Sequence, residues 1–155
     1  MYFCSGRKVC FLPLYYQAMA CDSTSEWHHG IVIHGHHNGT AFGFPTANLL
    51  MLDMPETGFE KGVYAVWVRV VHQVFGGMMY IGTRPTLSLT ALSIEIHLFD
   101  FHQNLYGQDI SFLIVGKVRD EQRFGDAEAL IQQLARDKEA VLAMLHELSE
   151  ETDGE

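Results

Sequence analysis

Proline is scarce, with four in 155 residues, and charged residues make up 19% of the chain against 48% hydrophobic. That balance excludes a linker, a fibre or a disordered segment. Cysteine occurs only as Cys4, Cys10 and Cys21. With no thiol beyond the first segment, no disulfide framework can hold the core, and an odd count in this spacing fits no zinc pattern. Free thiols in a reducing, cytoplasmic setting are expected. Nowhere is there an apolar run of the ~18 residues needed for a membrane-spanning helix. Positive charge is also in short supply: 10 Lys plus Arg face 19 Asp plus Glu, a formal net charge of -9. A phosphate backbone would be repelled on average, so neither nucleic acid nor membrane is an expected partner.

What is present is enough for one domain, which at this size buries roughly 68–70% of its unfolded surface. The first segment runs from Arg7 and Lys8 through Val9 to Tyr16 and on to Ala18-Met19-Ala20-Cys21, superficially a secretion signal. The apolar stretch is short and broken by Pro13 and Gln17, so residues 1–28 are read as an N-terminal extension, 29–148 as the domain and 149–155 as an acidic tail. From His29 onward, short β-branched and aromatic runs alternate with glycine, which predicts a closed or sandwiched antiparallel sheet. Expected strands are Gly30 to His34, Gly62 to Val71, Phe75 to Ile81, Ser93 to Asp100 and Ile110 to Val118. The connection from His72 through Val74 into Gly76-Gly77 is short enough for a hairpin. In the fourth strand, alternation puts Ile94, Ile96 and Leu98 on one face and Ser93, Glu95 and His97 on the other. Asp126 caps a helical part whose stripe is Leu130, Leu134, Val141, Leu145 and Leu148, as one helix or two short ones around Arg136-Asp137.

The most unusual stretch is the loop Gly35-His36-His37-Asn38-Gly39-Thr40-Ala41-Phe42-Gly43-Phe44-Pro45-Thr46-Ala47-Asn48. Glycines allow close approach of backbone to a ligand, and successive amides can surround an anion. Thr46 and Asn48, two residues apart in an extended segment, share a face and offer neutral oxygens to a hard cation such as magnesium on nucleotide phosphates. A loop that merely hydrogen-bonds its own backbone is the alternative. No Gly-Lys-Ser or Gly-Lys-Thr is present, so this is not a P-loop. His28, His29, His34, His36 and His37 crowd the same region; their spacing matches no structural zinc pattern, and exposed loop histidines are expected. Tyr64, Trp67, Phe99, Phe101, Met78 and Met79 are read as core packing.

Gly43 to Leu49, GFPTANL, resembles the signature loop of riboflavin kinases. Lys61-Gly62-Val63-Tyr64-Ala65, Ile81-Gly82-Thr83-Arg84-Pro85-Thr86, Ile94-Glu95-Ile96-His97, Leu105-Tyr106-Gly107 and Val118-Arg119 through Arg123-Phe124 follow in that family's order, a resemblance spanning roughly His29 to Leu145. It implies a mainly β fold, a six-stranded antiparallel Greek-key barrel with a C-terminal helix. It also implies transfer of the γ-phosphate of ATP to riboflavin, giving FMN and ADP with magnesium or another divalent cation. By the same resemblance, Gly39, Gly43, Phe44, Pro45, Thr46 and Asn48 bind the nucleotide, Thr46 and Asn48 also the metal. Glu95 matches the catalytic base, and Arg119 and Phe124 match a loop that closes over the flavin. Two departures stand out. Gly39-Thr40 replaces a common Gly-Arg, removing a positive charge. No nucleotidylyltransferase module precedes His29, so FAD synthesis is not expected. Ile33-His34-Gly35-His36 lacks the first histidine of that module's signature. A cytoplasmic, monomeric kinase acting on small molecules is therefore expected, the alternative being a non-catalytic flavin- or nucleotide-binding barrel.

Overall fold

The computed structural model describes residues 26–35, 42–53, 58–85 and 90–150. Residues 1–25 with the three cysteines, His36, His37, Gly39, Thr40 and the last five residues lie outside them. The elements are β1 (His28–Ile33), β2 (Ala47–Met51), β3 (Gly62–Val70), β4 (Gln73–Pro85), β5 (Thr90–Leu98), β6 (Asp109–Arg119) and α1 (Ala127–Glu150). Strands follow the order β1-β2-β5-β4-β3-β6 and β6 returns to β1, all pairs antiparallel, so the sheet is a closed barrel and not a sandwich. Closure leaves no exposed edge, and the connections from β2 to β3 and from β5 to β6, which join strands that are not neighbours, are the Greek-key steps.

Three local expectations are corrected. Ala47–Met51 is a strand that its composition does not announce, because Ala, Leu and Met favour helix. It becomes extended by pairing on both sides, Ile33↔Asn48 with β1 and Asn48↔Glu95 with β5. The β3–β4 turn is Val71-His72, closed by Val70↔Gln73, so Gly76 and Gly77 belong to the strand. A side chain at Gly76 would meet Leu145 at 2.8 Å, so glycine there lets α1 pack close. β5 ends at Leu98, where Phe99 and Asp100 form a turn with Asp100 at φ 55.

Alternation divides the core into two layers. Val66, Val68, Met79, Ile81, Ile94, Ile96, Leu98 and Phe112 fill the barrel. Val63, Ala65, Met78 and Phe99 project outward and are covered by Val141 and Leu145 of α1. Tyr64 packs inside the barrel and Trp67 and Phe101 lie at its margins, the packing roles expected of them.

α1 is one helix of 24 residues, capped as expected by the Asp126 carboxylate, which accepts from the Ala129 amide at 2.8 Å. Its apolar stripe is continuous except for Asp137, only 1% exposed. That charge is tolerated because Arg119, at the end of β6, donates from Nε at 2.9 and 3.0 Å and from Nη2 at 2.8 Å, while Gln133 adds a bond at 2.8 Å. A buried carboxylate is costly unless paired and hydrogen-bonded, so the pair dictates where the helix seats. No helix of the described residues is long and apolar enough to cross a membrane.

Asp137→Ala leaves the Arg119 guanidinium uncompensated, and urea denaturation should show a loss of about 3–5 kcal/mol. The double substitution Arg119→Met with Asp137→Leu should recover most of it.

Candidate functional site

One stretch of sheet, where the loop entering β2 runs beside β5, separates two cavities. Residues of β5 alternate between them: Ile96 and Leu98 line a cavity of about 360 Å³ at the mouth of the barrel, and Glu95 and His97 line one of about 280 Å³ between the barrel wall and α1. The facing segment alternates likewise, with Pro45 and Ala47 toward the mouth and Phe44 toward the helix. Thr46 lines both.

Thr46 donates its hydroxyl to Glu95 Oε2 at 3.1 Å, and Ser93 donates to Oε1 at 3.3 Å. The carboxylate is thus oriented by two hydroxyls, one from its own strand face and one from the loop. Asn48 lies directly opposite Glu95 in the β2–β5 register and is 5% exposed. Its carboxamide occupies the space that any side chain at position 35 would take, so Gly35 is required by close approach. Gly43 sits at φ 80, a left-handed conformation that glycine adopts without strain, and so turns the chain into Phe44-Pro45. His97 holds the next peptide: its Nδ1 lies 2.8 Å from the Pro45 carbonyl oxygen.

The far wall of the helix-side cavity is formed by Tyr80, Arg119, Phe124 and the first turns of α1 at Leu130 and Leu134. Arg119 is engaged by Asp137 and donates Nη1 to the Asp120 carbonyl at 3.0 Å. It therefore presents its planar face, with Phe124 packed 5.6 Å from its centre, and not an open fork for phosphate. Tyr80 donates to Glu121 at 2.6 Å and so ties the segment after β6 back to the barrel. Burial, together with that bond to the carboxylate, pushes the Tyr80 phenol upward, keeping it a donor. At the barrel mouth, Gly107 and Gln108 bond to Val32 at 2.8 and 2.9 Å, which brings Tyr106 face to face with His34 at 3.5 Å.

A family model described as Flavokinase, riboflavin kinase, matches residues 26–145. The chain belongs to the riboflavin kinase family. Among curated proteins it is 42% identical to the RNA-binding riboflavin kinase RibR of Bacillus subtilis, over 70% of this chain and 46% of that one. It is 39% identical to the bifunctional riboflavin kinase/FMN adenylyltransferase of Haemophilus influenzae, over 76% of this chain and 38% of that one. It therefore spans less than half the length of these relatives. Among solved structures, a macrolide-efflux protein from Streptococcus pneumoniae superposes with TM-score 0.67 at 33% identity, covering 74% of this chain and 38% of that one. The riboflavin kinase of Trypanosoma brucei shares the fold, with TM-score 0.54 at 20% identity over 77% and 79% of the two chains.

Of the residues matched to the riboflavin kinase pattern, the structure gathers Phe44, Thr46, Glu95, Arg119 and Phe124 around one cavity. Pro45 and Thr46 border the other, Asn48 is packed behind them on Gly35, and Gly39 lies outside the described residues. His36 and His37 lie outside the described residues, and the described histidines of that region have separate partners. His28 is buried against Phe59 and Phe112, contrary to its expected exposure, and His29 meets Ser111 at 3.1 Å. Among the described residues no group of three His, Cys, Asp or Glu side chains is placed to hold a metal. Sequence reasoning passed over Ser93, His97, Tyr80 and Asp137. For the first two a signal existed, since alternation puts them on the face of Glu95. Tyr80 and Asp137 act through partners 41 and 18 residues away and carry no local mark.

Burial holds the His97 imidazole below its usual 6.5; the bond to Pro45 pulls the other way, and nearby Lys138 adds to the lowering. The unfolded chain then takes up a proton that the folded state resists. The neutral ring's contribution is complete above 6.5 and is lost as pH falls through 6.5 toward the lower folded value. Urea midpoints at about pH 7.5 and pH 5.5 should therefore differ more for the wild type than for His97→Asn.

Proposed function

We propose that the chain is a riboflavin kinase, transferring the γ-phosphate of ATP to the 5'-hydroxyl of riboflavin to give FMN and ADP. The observation that carries this is the Thr46–Glu95 contact, 3.1 Å long, in a wall shared by two cavities. A transfer between two substrates needs their reacting groups held side by side, and two cavities that share one wall residue allow that. The helix-side cavity is lined by Phe42, Phe44, Val63, Met78, Phe124 and Leu134 around one carboxylate, a setting suited to a flat aromatic ring system bearing a polyol. At the barrel mouth, the stacked His34 and Tyr106, with Gln103 and Asn104, suit a purine nucleotide whose phosphates reach Thr46.

In the transfer, Glu95 accepts the proton of the 5'-hydroxyl as that oxygen bonds to the γ-phosphorus. The bond from that phosphorus to the β,γ-bridging oxygen breaks, and ADP carries the electron pair away. Thr46 and Ser93 hold the carboxylate in position before reaction. The oxygens of Thr46, Asn48 and Glu95, neighbours at the end of the β2–β5 ladder, are all hard, a set that fits magnesium and not a soft metal. They are also too few for an all-protein cage, as expected of a cation bound largely by nucleotide phosphates and water. Thr46 and Asn48 would hold it, and when bound it would neutralise phosphate charge. Arg119 and Phe124 would cover the flavin ring with a planar cation and an aromatic face.

Pure protein incubated with riboflavin, ATP and magnesium should yield FMN by chromatography, and chelation of the cation should stop it. Glu95→Gln should lower kcat by roughly 100- to 10,000-fold with riboflavin affinity unchanged. Thr46→Ala should lower kcat by about 100-fold. Flavin bound with no FMN formed would instead identify a non-catalytic binding module.

A further inference from the structure

Building on the riboflavin kinase assignment above, we propose that His97 is a positioning residue that sets where the Thr46 hydroxyl meets Glu95. The β2–β5 ladder runs through Asn48↔Glu95 and ends at Ala47↔Ile96. Beyond it stands Pro45, which has no amide proton to continue the pairing. The chain there is held from the side: His97 Nδ1 approaches the Pro45 carbonyl oxygen at 2.8 Å, which requires the tautomer protonated at Nδ1. That carbonyl shares one rigid peptide plane with the Thr46 nitrogen. Fixing the oxygen therefore fixes the rotation of the plane and the direction in which the Thr46 side chain leaves it.

The imidazole is itself held in place. It is 9% exposed, with Phe44 at 5.4 Å and Phe99 at 5.6 Å meeting it edge to face. His97 and Glu95 also lie two residues apart on the same face of β5 and line the same cavity. The strand that carries the carboxylate thus carries the group that delivers the carboxylate's hydroxyl partner. Their separation is set by one rigid element and not by the loop.

Packing alone and positioning make different demands at this site. Packing is satisfied by an apolar ring; positioning needs an N–H donor close to the Cβ. Phenylalanine supplies the ring without the donor, and asparagine places its amide nitrogen near the position of Nδ1 while leaving a void. With FMN formation as the assay, His97→Phe should lower kcat by about 100-fold, with the KM for riboflavin within about threefold of wild type. His97→Asn should keep kcat within about fivefold despite its smaller volume. A kcat for His97→Phe within about fivefold of wild type, or a His97→Asn variant as slow as His97→Phe, would overturn the proposal.

A readout independent of turnover separates this from the kinase assignment. Long-range proton–nitrogen spectra of the wild type at neutral pH should show Nδ1 protonated and Nε2 bare, and the opposite tautomer would also overturn the proposal. The Thr46 amide resonance should move in His97→Phe and stay near its wild-type position in His97→Asn. If the wild type makes no FMN but these spectral results hold, the kinase assignment fails and His97 still positions Thr46.

Discussion

The period of two along a β-strand, fixed by the pairing of β2 with β5, is the constraint on which the site depends. Because Asn48 faces Glu95 and Ala47 faces Ile96, one set of side chains enters the barrel and the other turns toward α1. A slip of one residue would exchange the sets, exposing Ile94, Ile96 and Leu98 and burying Glu95 in the apolar interior. The hydrophobic core thus specifies the position of the carboxylate. Two cavities on opposite faces of the same wall are a direct outcome, and Thr46, at the ladder's end, reaches both.

The helix-side cavity exists because α1 stands off the barrel along part of its length and packs tightly along the rest. Val141 and Leu145 lie against the layer that includes Ala65 and Met78, and Gly76 lets Leu145 come near. Toward its first turns, Leu130 and Leu134 instead border the cavity. The transition occurs at Asp137, whose pairing with Arg119 pins the helix to the end of β6. Tyr80, bonded to Glu121, fastens the intervening segment. Polar bonds from three parts of the chain thus define the margin of a cavity whose walls are mostly apolar.

Charge explains another feature of the proposed chemistry. The chain carries a formal net charge of -9, and the guanidinium nearest the site is committed to a buried carboxylate. In the proposed reaction, little of this guanidinium's charge would offset a triphosphate, and a divalent ion held by neutral oxygens would supply the neutralisation. The glycines and the proline of the loop serve the same end through the backbone: Gly35 admits Asn48, Gly43 makes the turn, and Pro45 stops the ladder where Thr46 must point toward Glu95.

The five β-rich runs, the capped helix and the outward direction of Glu95 were legible from sequence because each follows from local periodicity. Motif resemblance added the barrel and the grouping of Thr46, Glu95, Arg119 and Phe124. The strand Ala47–Met51, the single helix through Arg136-Asp137 and the turn at Val71-His72 were not legible. In the first two cases a partner distant in sequence overrides local preference: two flanking strands extend a helix-favouring segment, and Arg119 makes a buried aspartate acceptable. By itself the sequence determined which faces are apolar and which residues carry usable chemistry, since side-chain type and spacing are local properties. Only the tertiary structure decided that Thr46 and Glu95, 49 positions apart, share a hydrogen bond at the boundary of two cavities. That proximity arises from barrel closure, which no local pattern encodes.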